Sequence, residues 1–323
     1  MRRNGTLTKK LFHPSWFDIL PQSSSTIIPA EFNTTFIDQI ESYQTKGFTV
    51  IRRSNDQSVQ SLTQVNVDVL SQLSNIQNSY LYQFQRYFNY NNVRQPSLRH
   101  SFPLANSPML YQVLSEAIYN IRPLLDSQLS PNSPLIDLSS IVSMPGSERQ
   151  KTHTDIPYSN NNKIIAGFIA LSPVLLESGP TCLYAGSHTQ QFARRHVDNT
   201  IFDVSHYNSD GSDAIDSNTI PPKINTNSSA DDVAVDVTAA SPAVAAILDV
   251  GDIVIYNTQL FHYGGANTTT IPRALLMFAF QQRTPWGSVD KVSGFTYNCH
   301  GSVEGRYRLE SFSGRHKYDL EAV

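Results

Sequence analysis

The sequence predicts a mainly β fold with flanking α: an antiparallel sandwich or barrel, with helices packed on one of its sheets. Three observations lead there. Apolar stripes at a spacing near 3.6 residues all lie before residue 134. After Pro134 the texture changes to short β-type runs separated by glycine and proline turns. Helices come first and strands second, so they are expected to cover one sheet face and not to alternate with strands in βαβ units.

The first stripe is Phe32, Phe36, Ile37, Ile40 and Tyr43. Gly47 stands where that helix would end, and Phe48–Ile51 follows as a β-prone run. A second helix is expected over Val59–Phe88, with Leu62, Val65, Val69, Leu73 and Ile76 in register. A third is expected over Pro108–Leu129, whose stripe includes Leu110, Val113, Leu114, Ile118, Ile121 and Leu125. All three stripes read as core packing. The β-type runs are Leu135–Met144, Lys163–Leu171, Thr181–Ala185, Val244–Val250, Asp252–Asn257 and Ala274–Gln281. Ser205–Pro242 is rich in Asn, Ser, Asp, Thr and Ala, and reads as a polar insertion between two strands.

The organisation that follows is an N-terminal extension at 1–30, partly disordered, and a single domain at 31–323. Within it, 31–134 is helical support, 135–282 the β core, 205–242 the insertion and 283–323 a C-terminal segment. The aromatic stretch Trp286–Tyr307 is expected to pack on the barrel.

Composition narrows the function classes. The 323 residues are 40% hydrophobic and 16% charged, with 15 Tyr and 16 Phe, which supports a sizeable packed core. The net charge of −3 offers no basic excess for a polyanion, so no nucleic acid is expected. No apolar run approaches a membrane span. Two cysteines, Cys182 and Cys299, make neither a disulfide framework nor a Cys-x-x-Cys zinc ribbon. The basic start, with Arg2, Arg3, Lys9 and Lys10, precedes no apolar stretch, so a cytoplasmic protein is expected; an organelle transit peptide is also compatible with it.

The chemistry-bearing residues begin at Gln150-Lys-Thr-His153-Thr-Asp155. If this segment is extended, His153 and Asp155 share a face, because strand side chains alternate with period two. An imidazole and a carboxylate side by side make two-thirds of a metal site. Far along the chain, Gly251-Asp-Ile-Val-Ile-Tyr-Asn257 reads as a turn and an apolar strand, with His262 soon after. A closed barrel can bring such distant strands together. Two histidines and one carboxylate leave three coordination positions open, the arrangement that suits iron(II) oxygenases. Arg273 then opens the last β run. A guanidinium there can hold the far carboxylate of a 2-oxo diacid through paired, charge-assisted hydrogen bonds, or form a buried ion pair with an Asp or Glu.

His153-Thr-Asp155, Ser178-Gly-Pro-Thr-Cys-Leu-Tyr-Ala-Gly-Ser-His188, Gly251-Asp252 and His262…Arg273 together resemble the phytanoyl-CoA dioxygenase family of Fe(II)/2-oxoglutarate-dependent dioxygenases. The order and spacing of these blocks match over about 135–282, and the opening helix with Gly47-Phe-Thr-Val-Ile51 is similar as well. The resemblance implies a double-stranded β-helix core, a jelly roll of cupin-like type. It implies His153, Asp155 and His262 as ligands of Fe(II), Arg273 as the clamp on the 2-oxoglutarate carboxylate, and O₂ as the second cosubstrate. The reaction implied is hydroxylation, or a related oxidation, of an unactivated C–H bond of a small molecule, with release of succinate and CO₂. Halogenating relatives carry a small residue at the place of Asp155, so the carboxylate points to hydroxylation or a related oxidation and not to halogenation.

Thr181 is a further candidate on the cosubstrate, and Gln150 a candidate for the substrate pocket. Gly186, Ser187 and His188 read as a structural turn. Relatives often have a hydroxyl residue two places after the second histidine, where this chain has Gly264; Thr181 is the candidate substitute. His13, His100, His196, His206, His300 and His316 lack ligand-type partners, and Arg194-Arg195-His196 reads as a solvated loop. Two other functions fit part of the pattern. A cupin-like metalloenzyme not using 2-oxoglutarate would typically carry more histidines and would not need Arg273. A catalytically inactive β-helix binding protein would not need the intact ligand set.

Overall fold

A computed structural model describes residues 27–33, 35–54, 58–78, 98–150, 152–156, 158, 163–189, 192, 242–283, 292, 295 and 297–312. The insertion 205–241, Arg194-Arg195-His196, His13, His206, His316 and Trp286 lie outside these residues.

Each helix begins on a hydroxyl cap. Thr35, Ser58 and Ser107 accept the backbone N–H three residues on, opening α1 (Phe36–Lys46), α2 (Val59–Gln77) and α3 (Pro108–Gln128). Gly47 ends α1 in the left-handed region, as expected at a helix C-terminus. The α2 and α3 stripes are buried as their periodicity implies, except that Ile76 at the end of α2 is only partly buried. The part of the second expected helix beyond residue 78 lies outside the described residues.

The face of α1 departs from the expected stripe. Phe36 and Ile37 are 51% and 76% exposed, and the helix buries Gln39, Ser42 and Tyr43. Hydrogen bonds set this rotation. The Ser42 hydroxyl donates to the Phe48 carbonyl, and the Gln39 amide donates to the Asn33 carbonyl. Two backbone acceptors are thereby satisfied at the expense of two apolar side chains.

The strands form two sheets. The larger is built from β2 (Phe48–Ile51), β3 (Arg99–Pro103), β4 (Leu135–Ser143), β5 (Ile164–Ala170), β8 (Ile253–Asn257) and β10 (Arg273–Gln281), in the order β2-β8-β5-β10-β4-β3. Its pairings are all antiparallel. The smaller has the order β1-β7-β6-β9, from β1 (Ile27–Pro29), β6 (Thr181–Tyr184), β7 (Ala243–Ala245) and β9 (His262–Gly264).

Three strands were not anticipated. β1 lies inside the stretch read as an extension and pairs with β7, while β3 and β9 are too short and polar to announce themselves. Of the expected run Val244–Val250 only the start joins the ladder, although Leu248 forms an isolated bridge with Val174.

Alternation decides what each face meets. The outer face of the large sheet carries Phe102, Leu138, Val142, Ile253, Ile255, Leu276 and Phe278. It packs against Leu62, Val65, Leu114, Ile118 and Leu125 of α2 and α3. Each such side chain withdrawn from water contributes about 1.5–3 kcal/mol before entropy is counted. A second apolar cluster fills the space between the sheets, with Val50, Ala166, Phe168, Val254, Leu275 and Met277 from one and Leu183 from the other. Two facing, mainly antiparallel sheets with this connectivity are the double-stranded β-helix, and the helices cover its larger sheet. No helix of the described residues is long and apolar enough to cross a membrane.

Candidate metal centre

β9 and the segment before β5 meet in one place. His153 and His262 exchange both backbone hydrogen bonds, at 2.9 and 2.8 Å, as an isolated antiparallel bridge. The His153–Asp155 segment is therefore tied to the small sheet by one bridge and does not form a regular strand. Asp155 is fixed next, its N–H donating to the Thr258 carbonyl at 2.9 Å. The two imidazole centroids are 4.5 Å apart. Asp155 Oδ1 lies 3.9 Å from His153 Nε2 and 3.6 Å from His262 Nε2. One donor atom from each of the three residues falls within 4.8 Å of the others, so they could hold one metal ion. Among the described residues no fourth Cys, His or carboxylate joins the group.

Neighbouring groups orient these donors. His262 Nδ1 lies 3.0 Å from the Leu260 carbonyl. A carbonyl only accepts, so Nδ1 carries the proton and Nε2 presents its lone pair to the pocket. The Tyr256 hydroxyl donates to Asp155 Oδ2 at 2.8 Å, leaving Oδ1 turned to the histidines. Burial, then the Asp155 charge, pushes the Tyr256 hydroxyl well above its ordinary range, so it stays a donor.

The same pocket is lined by Arg99, Asp137, Gln150, Thr181, Gly264, Arg273 and Phe295. Arg273 is 2% exposed, and its Nη2 donates to Ser143 Oγ at 2.6 Å. Its Nε is buried with no hydrogen-bond partner, and among the described residues no carboxylate pairs with it. Burial, then the nearby Arg99, lowers its pKa to about 9. A buried guanidinium lacking an anion is costly, and a carboxylate entering the pocket would relieve that cost. The ion pair with an Asp or Glu, left open on sequence grounds, is thus absent among the described residues.

Thr181 is buried beside the site and pairs across the sheet with Gly264. Gln150 Oε1 accepts the Gly264 N–H at 2.8 Å, which ties its side chain to the pocket rim. The Gly186–His188 turn lies outside the donor group. Ser187 Oγ donates to the Tyr184 carbonyl and accepts the Phe261 N–H, bracing the approach to His262. His188 faces the Gln44 carbonyl, His100 the side chain of Gln77 and His300 that of Ser302. Phe295, from the C-terminal aromatic stretch, packs on the barrel and lines the pocket.

Sequence reasoning missed Tyr256, Asp137 and Arg99. Tyr256 and Asp137 lie within expected strands, where alternation alone could have flagged them as inward-facing. Nothing in the Arg99-His-Ser-Phe-Pro103 segment marks it as a wall of the site.

The fold and this donor set define a metal enzyme built on a double-stranded β-helix. The chain belongs to the phytanoyl-CoA dioxygenase (PhyH) family, whose model matches residues 43–275. It is accordingly an Fe(II)/2-oxoglutarate-dependent dioxygenase, with iron and 2-oxoglutarate as its cofactors. No curated protein sequence matches the chain. The fold is similar to the crystal structure of AviO1 from Streptomyces viridochromogenes Tue57, at 13% identity and TM-score 0.52, over 81% of this chain and 100% of that one. Two enzymes of nogalamycin biosynthesis are also similar. The non-heme alpha ketoglutarate dependent carbocyclase SnoK has 15% identity and TM-score 0.49, over 78% of this chain and 87% of that one. The epimerase SnoN, in complex with Fe3+, alpha ketoglutarate and nogalamycin RO, has 13% identity and TM-score 0.47, over 83% and 96%.

Proposed function

We propose that this protein hydroxylates an unactivated C–H bond of a small-molecule substrate, with His153, Asp155 and His262 as its iron ligands and Arg273 as its 2-oxoglutarate clamp. The observation that carries the reading is the convergence of three donor atoms from distant segments within 4.8 Å. Two imidazoles and one carboxylate suit Fe(II) and leave half its coordination sphere vacant for cosubstrates. When bound, the iron supplies the oxidising chemistry, coupling hydroxylation to conversion of 2-oxoglutarate and O₂ into succinate and CO₂.

The chain's own residues supply position and exclusion. His262 presents Nε2 because Leu260 holds its other nitrogen, and Asp155 presents Oδ1 because Tyr256 holds its other oxygen. Arg273 offers a buried cation to the far carboxylate, which fixes the 2-oxo acid end toward the histidines. Leu275, Met277, Phe168 and Phe295 make the walls apolar and keep water from the reacting centre. Thr181 sits within reach of the cosubstrate as a hydroxyl contact, and Gln150 lines the substrate side.

The experiment is anaerobic addition of 2-oxoglutarate to the Fe(II) protein, followed by a screen of small molecules under O₂ for succinate release. Chelation should give a weak absorption band at roughly 500 nm, and a true substrate should raise succinate in proportion to its oxidation. No band and no succinate would remove the reading.

A further inference from the structure

Two arginines stand side by side on the inner face of the large sheet. In β4, Ser143 is the cross-strand partner of Arg99 on one side and of Arg273 on the other. The three residues form one row across β3, β4 and β10, and alternation turns all three side chains to the interior. Both guanidiniums line the pocket of the His153–Asp155–His262 group, and Arg99 is only 4% exposed.

Arg99 is held at one end only. Its Nη2 donates to the backbone carbonyls of Glu148 and Gly265, at 3.0 and 2.8 Å. Its Nη1 and Nε have no hydrogen-bond partner among the described residues, and no carboxylate pairs with it. Its tip shares the space over Gly264 with the Gln150 amide, and any Cβ there would collide with Nη1 and with Gln150 Oε1. The missing side chain at position 264 therefore makes room for a guanidinium. Two like charges in one buried row repel each other, and among the described residues neither has a counter-ion. A single carboxylate between them would answer both, each oxygen accepting from a different arginine.

We propose that Arg99 is a second cosubstrate-binding residue, sharing with Arg273 the far carboxylate of 2-oxoglutarate. This rests on reading the site as a 2-oxoglutarate pocket. It makes the protein a two-arginine reader of the diacid and gives Gly264 a specific role as the place where Arg99 enters.

The test compares 2-oxoglutarate with 2-oxovalerate, which has the same chelating head and no far carboxylate. Both are titrated anaerobically into the Fe(II) protein and followed by chelate absorption, with thermal melting as a check of folding. Wild type is measured beside Arg99→Ala and Arg99→Gln, the latter keeping a polar side chain but removing the charge. Each variant should bind 2-oxoglutarate tenfold or more weakly, with 2-oxovalerate binding within about twofold of wild type.

Unchanged 2-oxoglutarate affinity in a folded variant overturns the proposal, as it would if Arg99 met the primary substrate. Equal losses for both ligands also overturn it, because Arg99 would then act only by tying down Glu148 and Gly265. Arg99→Gln decides the matter if Arg99→Ala does not fold. If wild type itself gives no 2-oxoglutarate band, the failure belongs to the underlying site reading and not to Arg99.

Discussion

Tyr256 donates a 2.8 Å hydrogen bond to the Asp155 oxygen that faces away from the two histidines. The tyrosine comes from β8 and the aspartate from the segment bridged to β9, so the contact joins the large sheet to the metal group. Removing only the hydroxyl should loosen the carboxylate without emptying the core. Tyr256→Phe is expected to weaken Fe(II) binding by roughly 10–100-fold, the usual range for an outer partner of a metal ligand. Fe(II) titration of the purified variant checks this, and wild-type affinity would show that Asp155 needs no such support.

His262→Ala should abolish succinate formation and Fe(II) binding together while leaving the fold intact. The side chain points into the pocket, and the ladder bonds of β9 come from its backbone. Circular dichroism with a metal assay reads both properties. Normal turnover in the variant would reject the ligand assignment.

Arg273→Gln should weaken 2-oxoglutarate binding by about 2 kcal/mol or more, roughly thirtyfold. Stability without cosubstrate should change little, because the wild-type guanidinium is buried beside another cation with an unpartnered Nε. Cosubstrate should accordingly raise the melting temperature of wild type and much less that of the variant. A melting shift equal to that of wild type would place the carboxylate elsewhere.

Asp137 predicts a pH dependence. It is buried, and its oxygen accepts the Ser139 hydroxyl at 2.6 Å. Burial raises its pKa well above the ordinary 3.8, the Ser139 bond opposes that, and Asp155 adds to it. The native state thus keeps a proton that the unfolded chain loses, so this group lowers stability as pH climbs above about 4. Asp137→Asn keeps the shape and removes the titration. The variant should gain stability relative to wild type as pH rises from about 4 into the neutral range, read by denaturant unfolding at fixed metal content. A constant difference across that range would mean that Asp137 is ionised in the native protein.

The sequence was most legible where chemistry and periodicity are local. The stripes of α2 and α3 predicted their buried faces, because a period of 3.6 residues exposes one side to the core whatever the partner. The runs 163–171 and 252–257 predicted β5 and β8 almost to their ends. α1 was misread because two hydrogen bonds, invisible in an apolar count, turned Phe36 and Ile37 to solvent.

Residue type and spacing, together with the family resemblance of the surrounding blocks, selected His153, Asp155, His262 and Arg273, since few side chains can ligate iron or grip a carboxylate. That these donors converge, and that Arg99 stands beside Arg273 over Gly264 while Tyr256 steadies Asp155, was decided only by tertiary structure. Strand register is the physical reason. A side chain's neighbour across a sheet depends on how segments far apart in the chain align, and one residue of slip would turn each of these groups to the opposite face.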